Sequence, residues 1–301
     1  MIDYSKYLID DRFVIYLFHG VIPRNLHKVR NYTHKHITAE YFSKIIENLR
    51  NAGSAVSLPD IVKAHIEKRP LPKRSFAITF DDGFENNYSV AAPILRKYQV
   101  PATFYITTGF IESNSMSWID MIEYAVEKMD DIEITSRYPS LNGKYTTLEQ
   151  KKDLLDRIRR LVKMDRQLNP YTFATDFCQS LEIEHFSPDP FLDQKMNWIK
   201  ICDLHKDPLF TIGGHSHTHR ILAYLEQTEL GQEIETSISK LQEHLECKIT
   251  HYSYPEGLTY CYSDTVINEL KKHGIVCAPT AEHGTNLSGD DLFRLKRIMV
   301  M

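Results

Sequence analysis

Apolar positions along the chain follow two rhythms. Short runs rich in apolar residues recur at Arg12–Phe18 (RFVIYLF), Phe76–Phe80 (FAITF) and Ala102–Thr107 (ATFYIT), and again at Leu209–Ile212, Ile249–Tyr254, Ile275–Ala278 and Phe293–Val300. Each has the length and the β-branched or aromatic content of a buried strand. Between them apolar residues return every three or four positions, as on one face of a helix. Phe42, Ile45, Ile46 and Leu49 form such a stripe behind Thr38, a suitable N-cap. Ala55–Leu58 reads as a short strand, and Pro59 suits the first turn of the helix after it. Asn87–Tyr98 reads as a helix that Pro93 must kink or start, and Ile234, Ile238, Leu241 and Leu245 mark another across Thr228–Leu245. A last helix is expected near Asp264–Lys272. Strands alternating with helices predict parallel βα units, an α/β fold, rather than a sandwich.

The rhythm changes between residues 108 and 207. Ile122, Ala125, Val126 and Met129 make one helical stripe, and Leu154, Leu155, Ile158, Leu161 and Val162 make another. Thr147 and Gln150 have the spacing of a capping box, and Asn142-Gly143 reads as a hairpin turn. We read residues 108–207 as a helical insertion within a single domain spanning 1–301. It serves equally well as a dimer surface, so the oligomeric state stays open. The charged stretch Lys151–Arg160 reads as a solvated helix face.

A net charge of −4 offers no basic footprint for nucleic acid. No apolar run is long enough for a membrane span. The five cysteines are scattered without a CxxC, which fits reduced thiols better than disulfides or a zinc ribbon. The first residues lack the basic-then-apolar pattern of a signal peptide. Cytoplasmic residence is the resulting expectation.

The chemistry gathers at two places. The run Phe76–Phe80 leads straight into Asp81, Asp82 and Gly83, and ligands in α/β folds collect at the C-terminal ends of strands. Adjacent carboxylates resist ionising together unless a cation compensates them. His215 and His219 follow another strand and lie four apart, so on one helical turn both imidazoles would face one point. Two histidines and one carboxylate, assigned here to Asp82, make a facial set with open positions for water and substrate. A divalent cation there would polarise an acyl oxygen and lower the pKa of bound water. Asp81 would then be free to act as general base. Taken alone, Asp-Asp-Gly is also an ordinary solvated turn, and the histidines an exposed polar cluster. Their pairing is what points to a metal. His217 falls between the ligands and is not expected to be one.

Thr79-Phe80-Asp81-Asp82-Gly83 together with His215-Ser216-x-x-His219 resembles the polysaccharide deacetylases with a NodB-type domain, carbohydrate esterase family 4. The resemblance extends through Pro101–Tyr105, Tyr254-Pro255-x-Gly257 and Leu295–Ile298, and leaves the insertion unexplained. It implies a distorted (β/α)7 barrel and metal-dependent removal of an N- or O-acyl group from a sugar. It implies Asp81 as base, Asp82, His215 and His219 as metal ligands, and Ser216 as a hydrogen-bonding support of the histidine loop. The metal in such proteins is often zinc, with cobalt, nickel, iron or manganese serving the same ligands. Tyr254, Pro255 and Glu256 would line the substrate pocket, with the Glu256 N–H helping to hold the oxyanion.

Two departures stand out. The family's third motif usually carries an Arg two residues before the Pro, where this chain has Ser253, although one branch also lacks that Arg. The usual Leu-x-His near the end is missing, since Leu292–Met301 contains no His. His19, at the end of the first strand, is the leading general acid, ahead of His283 and His251. Trp118, Tyr254, Tyr260 and Tyr262 suit either a sugar-stacking wall or the core, and Trp118 fits the core better. The expected partner is an acylated sugar, in a polymer or in a nucleotide- or lipid-linked precursor. An N-deformylase with the same machinery, or a non-catalytic sugar-binding relative that kept the metal site, are the alternatives.

Overall fold

The computed structural model describes residues 2–301. β1 (Arg12–Phe18) and β2 (Gly20–Ile22) precede a loop, after which β3 (His36–Thr38) pairs in parallel with β2. The Thr38 hydroxyl accepts the Tyr41 N–H and starts α1 (Ala39–Ala52), which buries Phe42, Ile45, Ile46 and Leu49. The predicted strand Ala55–Leu58 is confined to β4 (Ser54–Ala55). Ser57 and Asp60 form a capping box that begins α2 (Leu58–Ile66), with Pro59 in its first turn. β5 (Ser75–Phe80) is followed by a π-helical turn at Asn87–Ala91 and then α3 (Ala92–Tyr98). Pro93 sits in the first turn of α3, so the one predicted helix is two segments.

After β6 (Ala102–Ile106) come α4 (Thr108–Ser113) and α5 (Trp118–Lys128), then a hairpin of β7 (Ile132–Ile134) and β8 (Gly143–Tyr145). Asn142-Gly143 is not a two-residue turn, because Gly143 already pairs with Ile134 and residues 135–142 form the connection. α6 (Leu148–Met164) begins at the predicted Thr147–Gln150 capping box, and α7 (Pro170–Ser180) and α8 (Trp198–Lys206) follow. β9 (Phe210–Gly214), α9 (Gln227–Leu245), α10 (Asp264–Lys272), β10 (Asn286–Leu287) and β11 (Ile298–Met299) complete the chain.

Four parallel strands in the order β1-β5-β6-β9 form the continuous wall of the fold. The runs at Ile249–Tyr254, Ile275–Ala278 and Phe293–Val300 are not full strands. They hold isolated parallel bridges, Gly214 to Tyr252 and His251 to Cys277, and the short β11 beside β1. Thr280 N–H to Leu295 C=O at 2.8 Å and Val300 N–H to Leu17 C=O at 2.9 Å carry the ring back to β1. The result is a distorted barrel of four strands and three short bridged staves. Sparse ladders are tolerated there because the side chains are buried on both faces and packing replaces pairing.

Alternation sorts the two faces. Phe18, Phe80 and Phe104 stack across β1, β5 and β6 at centroid separations of 5.4 and 5.1 Å, under the outer helices. The opposite parity packs Ile15, Ala77, Tyr105, Cys277 and Leu295 together. The same parity carries on through Thr79 to Asp81, and from Leu295 to Arg297. A second apolar cluster runs from Trp118 to Leu181 and holds α5, α6 and α7 together. Within it Lys151 is buried and donates to the Met129 carbonyl at 2.5 Å, so the Lys151–Arg160 stretch is more than a solvated face. Among the described residues no helix is long and apolar enough to cross a membrane.

Gly213 is where the barrel tolerates no side chain. A Cβ there would lie 2.7 Å from the Tyr105 ring and 2.8 Å from the His251 carbonyl oxygen. Gly213→Ala should therefore cost about 1–3 kcal/mol. A thermal melt unchanged from wild type would show that this contact does not constrain the barrel.

Candidate active site

The Asp81 N–H donates to the Phe18 carbonyl at 3.0 Å, which extends the β1–β5 ladder by one step. Asp82 then turns into the left-handed region at φ 76°, followed by Gly83 at 82°. The two side chains consequently leave the strand end in different directions. Both are buried, at 3% and 5% exposure.

The histidines come from the end of β9. The His215 N–H donates to the Ile106 carbonyl at 2.9 Å, and Ser216 and His219 have φ of 65° and 59°. The segment is a loop and not the helical turn expected from the four-residue spacing. Left-handed residues break any helix, and the Glu233 carboxylate of α9 accepts the His217 and Thr218 N–H groups at 2.8 and 2.5 Å. The Ser216 hydroxyl accepts the His219 N–H at 2.9 Å, the support expected of it. His217 turns away, with Nδ1 at 2.9 Å from the Thr108 hydroxyl.

Asp82, His215 and His219 each offer a ligand atom within 4.8 Å of the others. Asp82 Oδ1 lies 3.5 Å from His215 Nε2 and 3.2 Å from His219 Nε2. It is buried without a well-directed hydrogen-bond donor. The His215 Nδ1–H donates to the Ser253 carbonyl at 2.9 Å, which leaves the Nε2 lone pair facing the carboxylate. An orphaned carboxylate oxygen and two imidazole nitrogens around one point suit a divalent cation. His219 adds a face-on contact to Phe110, with ring centroids 5.8 Å apart.

Asp81 has a separate partner. Arg297, on the stave leading into β11, donates to Asp81 Oδ1 at 2.9 Å and Oδ2 at 2.8 Å. Its guanidinium also donates to the Ser253 hydroxyl at 3.1 Å, and that hydroxyl lies 3.3 Å from both Asp81 oxygens. Ser253 stands where the third motif usually has Arg, and the missing cation arrives from across the barrel. Burial works to raise the Asp81 pKa, but Arg297 and then His215 outweigh it and hold the carboxyl below its usual value. Sequence reasoning had no specific pointer to Arg297, which is one of three cations, with Arg294 and Lys296, in the closing run Phe293–Val300.

The pocket above the carboxylates is lined by His19, Lys35 and Glu256 as well as by Asp81, Asp82, His215 and His219. Lys35 Nζ lies 3.8 Å from Asp82 Oδ2 and 3.2 Å from Asp120 Oδ1. His19 faces the site with its Nδ1 buried and unpartnered. His251 and His283 are not among the lining residues; His251 is buried in a barrel bridge, and the His283 ring packs edge-on against Tyr7. Tyr254 does not line the pocket, contrary to expectation. Its ring is fully buried against Tyr262 at 4.7 Å, and its hydroxyl donates to the Phe293 carbonyl. Pro255 is buried beside it, so only Glu256 of that motif reaches the cavity. The sugar-stacking wall does not form: Tyr260 pairs with Tyr224, and Trp118, though at the pocket, sits at 4% exposure in the second core.

The Asp81–Arg297 pair is buried, so removing one partner strands a charge. Arg297→Met should cost about 3–5 kcal/mol, and adding Asp81→Asn should recover part of that loss. Because the folded pKa of Asp81 is depressed, its contribution is present above the ordinary value of 3.8 and lost as pH falls through the lower folded value. Urea denaturation of both variants at neutral pH checks this; equal stability of Arg297→Met and wild type would refute it.

A family model described as polysaccharide deacetylase matches residues 68–179 and 192–278. The poly-beta-1,6-N-acetyl-D-glucosamine N-deacetylase of Staphylococcus aureus (strain MSSA476) is 46% identical over 56 residues, 19% of this chain and 19% of that protein. Its Staphylococcus epidermidis counterpart is 31% identical over 96 residues, 32% of each chain. The matched stretches thus span a fifth to a third of these curated relatives. Among solved structures, Streptococcus pyogenes deacetylase PplD in complex with acetate superposes with a TM-score of 0.63 at 16% identity, covering 97% of this chain and 93% of that one. IcaB from Ammonifex degensii gives a TM-score of 0.62 at 16% identity, covering 98% and 94%. At such identities the structural likeness is one of fold, and it agrees with the barrel described above. With two thirds of its length matched by the family model, the chain belongs to the polysaccharide deacetylase family.

Proposed function

We propose that the protein hydrolyses the N-acyl group of an acylated amino sugar, acetyl in the first instance, with poly-β-1,6-N-acetylglucosamine or its fragments as the candidate substrate. The division of labour between the adjacent carboxylates carries this reading. Asp82 faces two imidazoles, while Asp81 is gripped by Arg297, and both border one pocket. The named N-deacetylases among the relatives supply the sugar, and the site supplies the chemistry.

Asp82, His215 and His219 would hold a divalent cation, zinc being the first candidate, which when bound acts as a Lewis acid toward the acyl oxygen and water. Asp81 accepts the proton of the attacking water. Arg297 keeps it ionised and occupies both its oxygens from below, so its orientation is fixed before substrate arrives. The C–N bond breaks as the nitrogen takes a proton, and His19 is the imidazole placed to deliver it. Burial, reinforced by Lys35 and Arg297 and opposed by Asp82, holds His19 down at about 4. It therefore starts neutral and delivers only a proton acquired during the cycle. A non-catalytic sugar-binding role rested on the missing motif Arg and on the missing Leu-x-His acid; Arg297 beside Asp81 answers the first and supports catalysis. An N-formyl group would be handled by the same residues.

Asp81→Asn should lower kcat on acetylated glucosamine oligomers by about 10²–10⁴-fold while zinc content, measured by atomic emission, stays at wild-type level. His19→Ala should fall in the same range. Turnover by Asp81→Asn at the wild-type rate would exclude it as the base. Dialysis against a chelator should abolish wild-type activity, and added Zn2+ or Co2+ should restore it; activity surviving complete metal removal would overturn the assigned ligand role.

A further inference from the structure

Three ion pairs join the elements around the pocket end to end. Lys35 of the loop before β3 meets Asp120 of α5 at 3.2 Å. Glu123 of α5 meets Arg159 of α6 at 2.6 Å, and its other oxygen accepts the Asn31 N–H at 2.9 Å. Lys163, one turn further along α6, meets Glu256 of the barrel rim at 2.5 Å. Lys163 is held from a second side, since the Tyr224 hydroxyl donates to its carbonyl at 3.1 Å. The pairs form a continuous fence from loop to α5 to α6 and back to the barrel. The Lys163 ammonium lies directly against the Glu256 carboxylate, so the last link is an ion pair.

A glycan bound by an internal unit must leave a site in two directions. The fence lines one side of the cavity through Lys35, Arg159, Lys163 and Glu256. The cavity measures about 240 Å³, below the roughly 300–1,000 Å³ of sites that take drug-sized ligands. Trp118 and Ile119 of α5 complete the wall above the carboxylates. We propose that the 108–207 segment turns the catalytic site into a pocket for a single or chain-terminal acylated amino sugar, with the Lys163–Glu256 pair as the bar across the closed side. The inference rests on the deacylase reading and narrows its substrate to chain ends and monomers.

The test uses β-1,6-linked N-acetylglucosamine oligomers from dimer to hexamer, fluorescently tagged at the reducing end, with the Zn2+-loaded protein. Tandem mass spectrometry locates each lost acetyl. The expected result is loss from the untagged terminal unit alone, with kcat/KM changing by less than about twofold along the series, because added units make no transition-state contact. Lys163→Met should open the closed side and raise the internal share of products by about tenfold or more, while Lys163→Arg keeps the terminal pattern. Internal loss by wild type, kcat/KM climbing with chain length, or a Lys163→Met pattern identical to wild type would each overturn the proposal. No turnover of any oligomer by metal-loaded protein would overturn the deacylase reading itself, a distinct outcome.

Discussion

Two carboxylates at consecutive positions of a buried strand end cannot share one countercharge, and the architecture of the site follows from that constraint. A single cation near both would leave one underserved, and an unpaired buried charge costs several kcal/mol. The backbone separates them by turning at Asp82, so that each meets a different part of the barrel. Asp81 stays on the interior parity of β5 and finds Arg297 across the ring. Asp82 swings toward the loop after β9 and finds two imidazoles. Ser253 ties the halves together, its hydroxyl beside Asp81 and its carbonyl accepting from His215.

The barrel and the 108–207 segment contribute differently. The barrel places the reacting groups from strand ends and short staves that are rigid because they are packed on both faces. The segment contributes none of the groups assigned to bond breaking. At its two ends α4 and α8 pack Ile111, Ile201 and Leu204 into the barrel core, while it adds the far wall through α5 and α6, which share a core with α7 and meet the rest of the chain through Lys35–Asp120 and Lys163–Glu256. Contacts of that kind define the shape of the entrance and leave the chemistry untouched.

Much of this was legible in the sequence, and the reasons are local. Strand-length apolar runs ending in Asp81-Asp82-Gly83 and at His215 announced their own positions, and Pro59 and the Thr147–Gln150 capping box marked where helices begin. What stayed hidden depends on the ring closing. The role of Arg297 is set by a partner 216 residues away, and a missing Arg at Ser253 gave no hint that the cation had moved to another stave. Tyr254 was misread because an aromatic beside a motif looks the same whether it points to the cavity or into the core. Lys35 lay in a basic loop with nothing to mark it, since its partners Asp82 and Asp120 belong to two other elements. The later staves read as full strands because burial on both faces produces apolar runs even where few ladder bonds form.

The left-handed backbone at Asp82, Ser216, His219 and Glu256 has a consequence for how far this protein can be hardened. Each such residue outside glycine stores on the order of 1–3 kcal/mol. Glycine would relax the backbone at any of them, yet at Asp82 and His219 it would remove a side chain proposed to hold the cation. Rigidity and reactivity are thus traded at the same Cα atoms, and thermostabilising screens should leave these positions alone and find their gains on the outer helices.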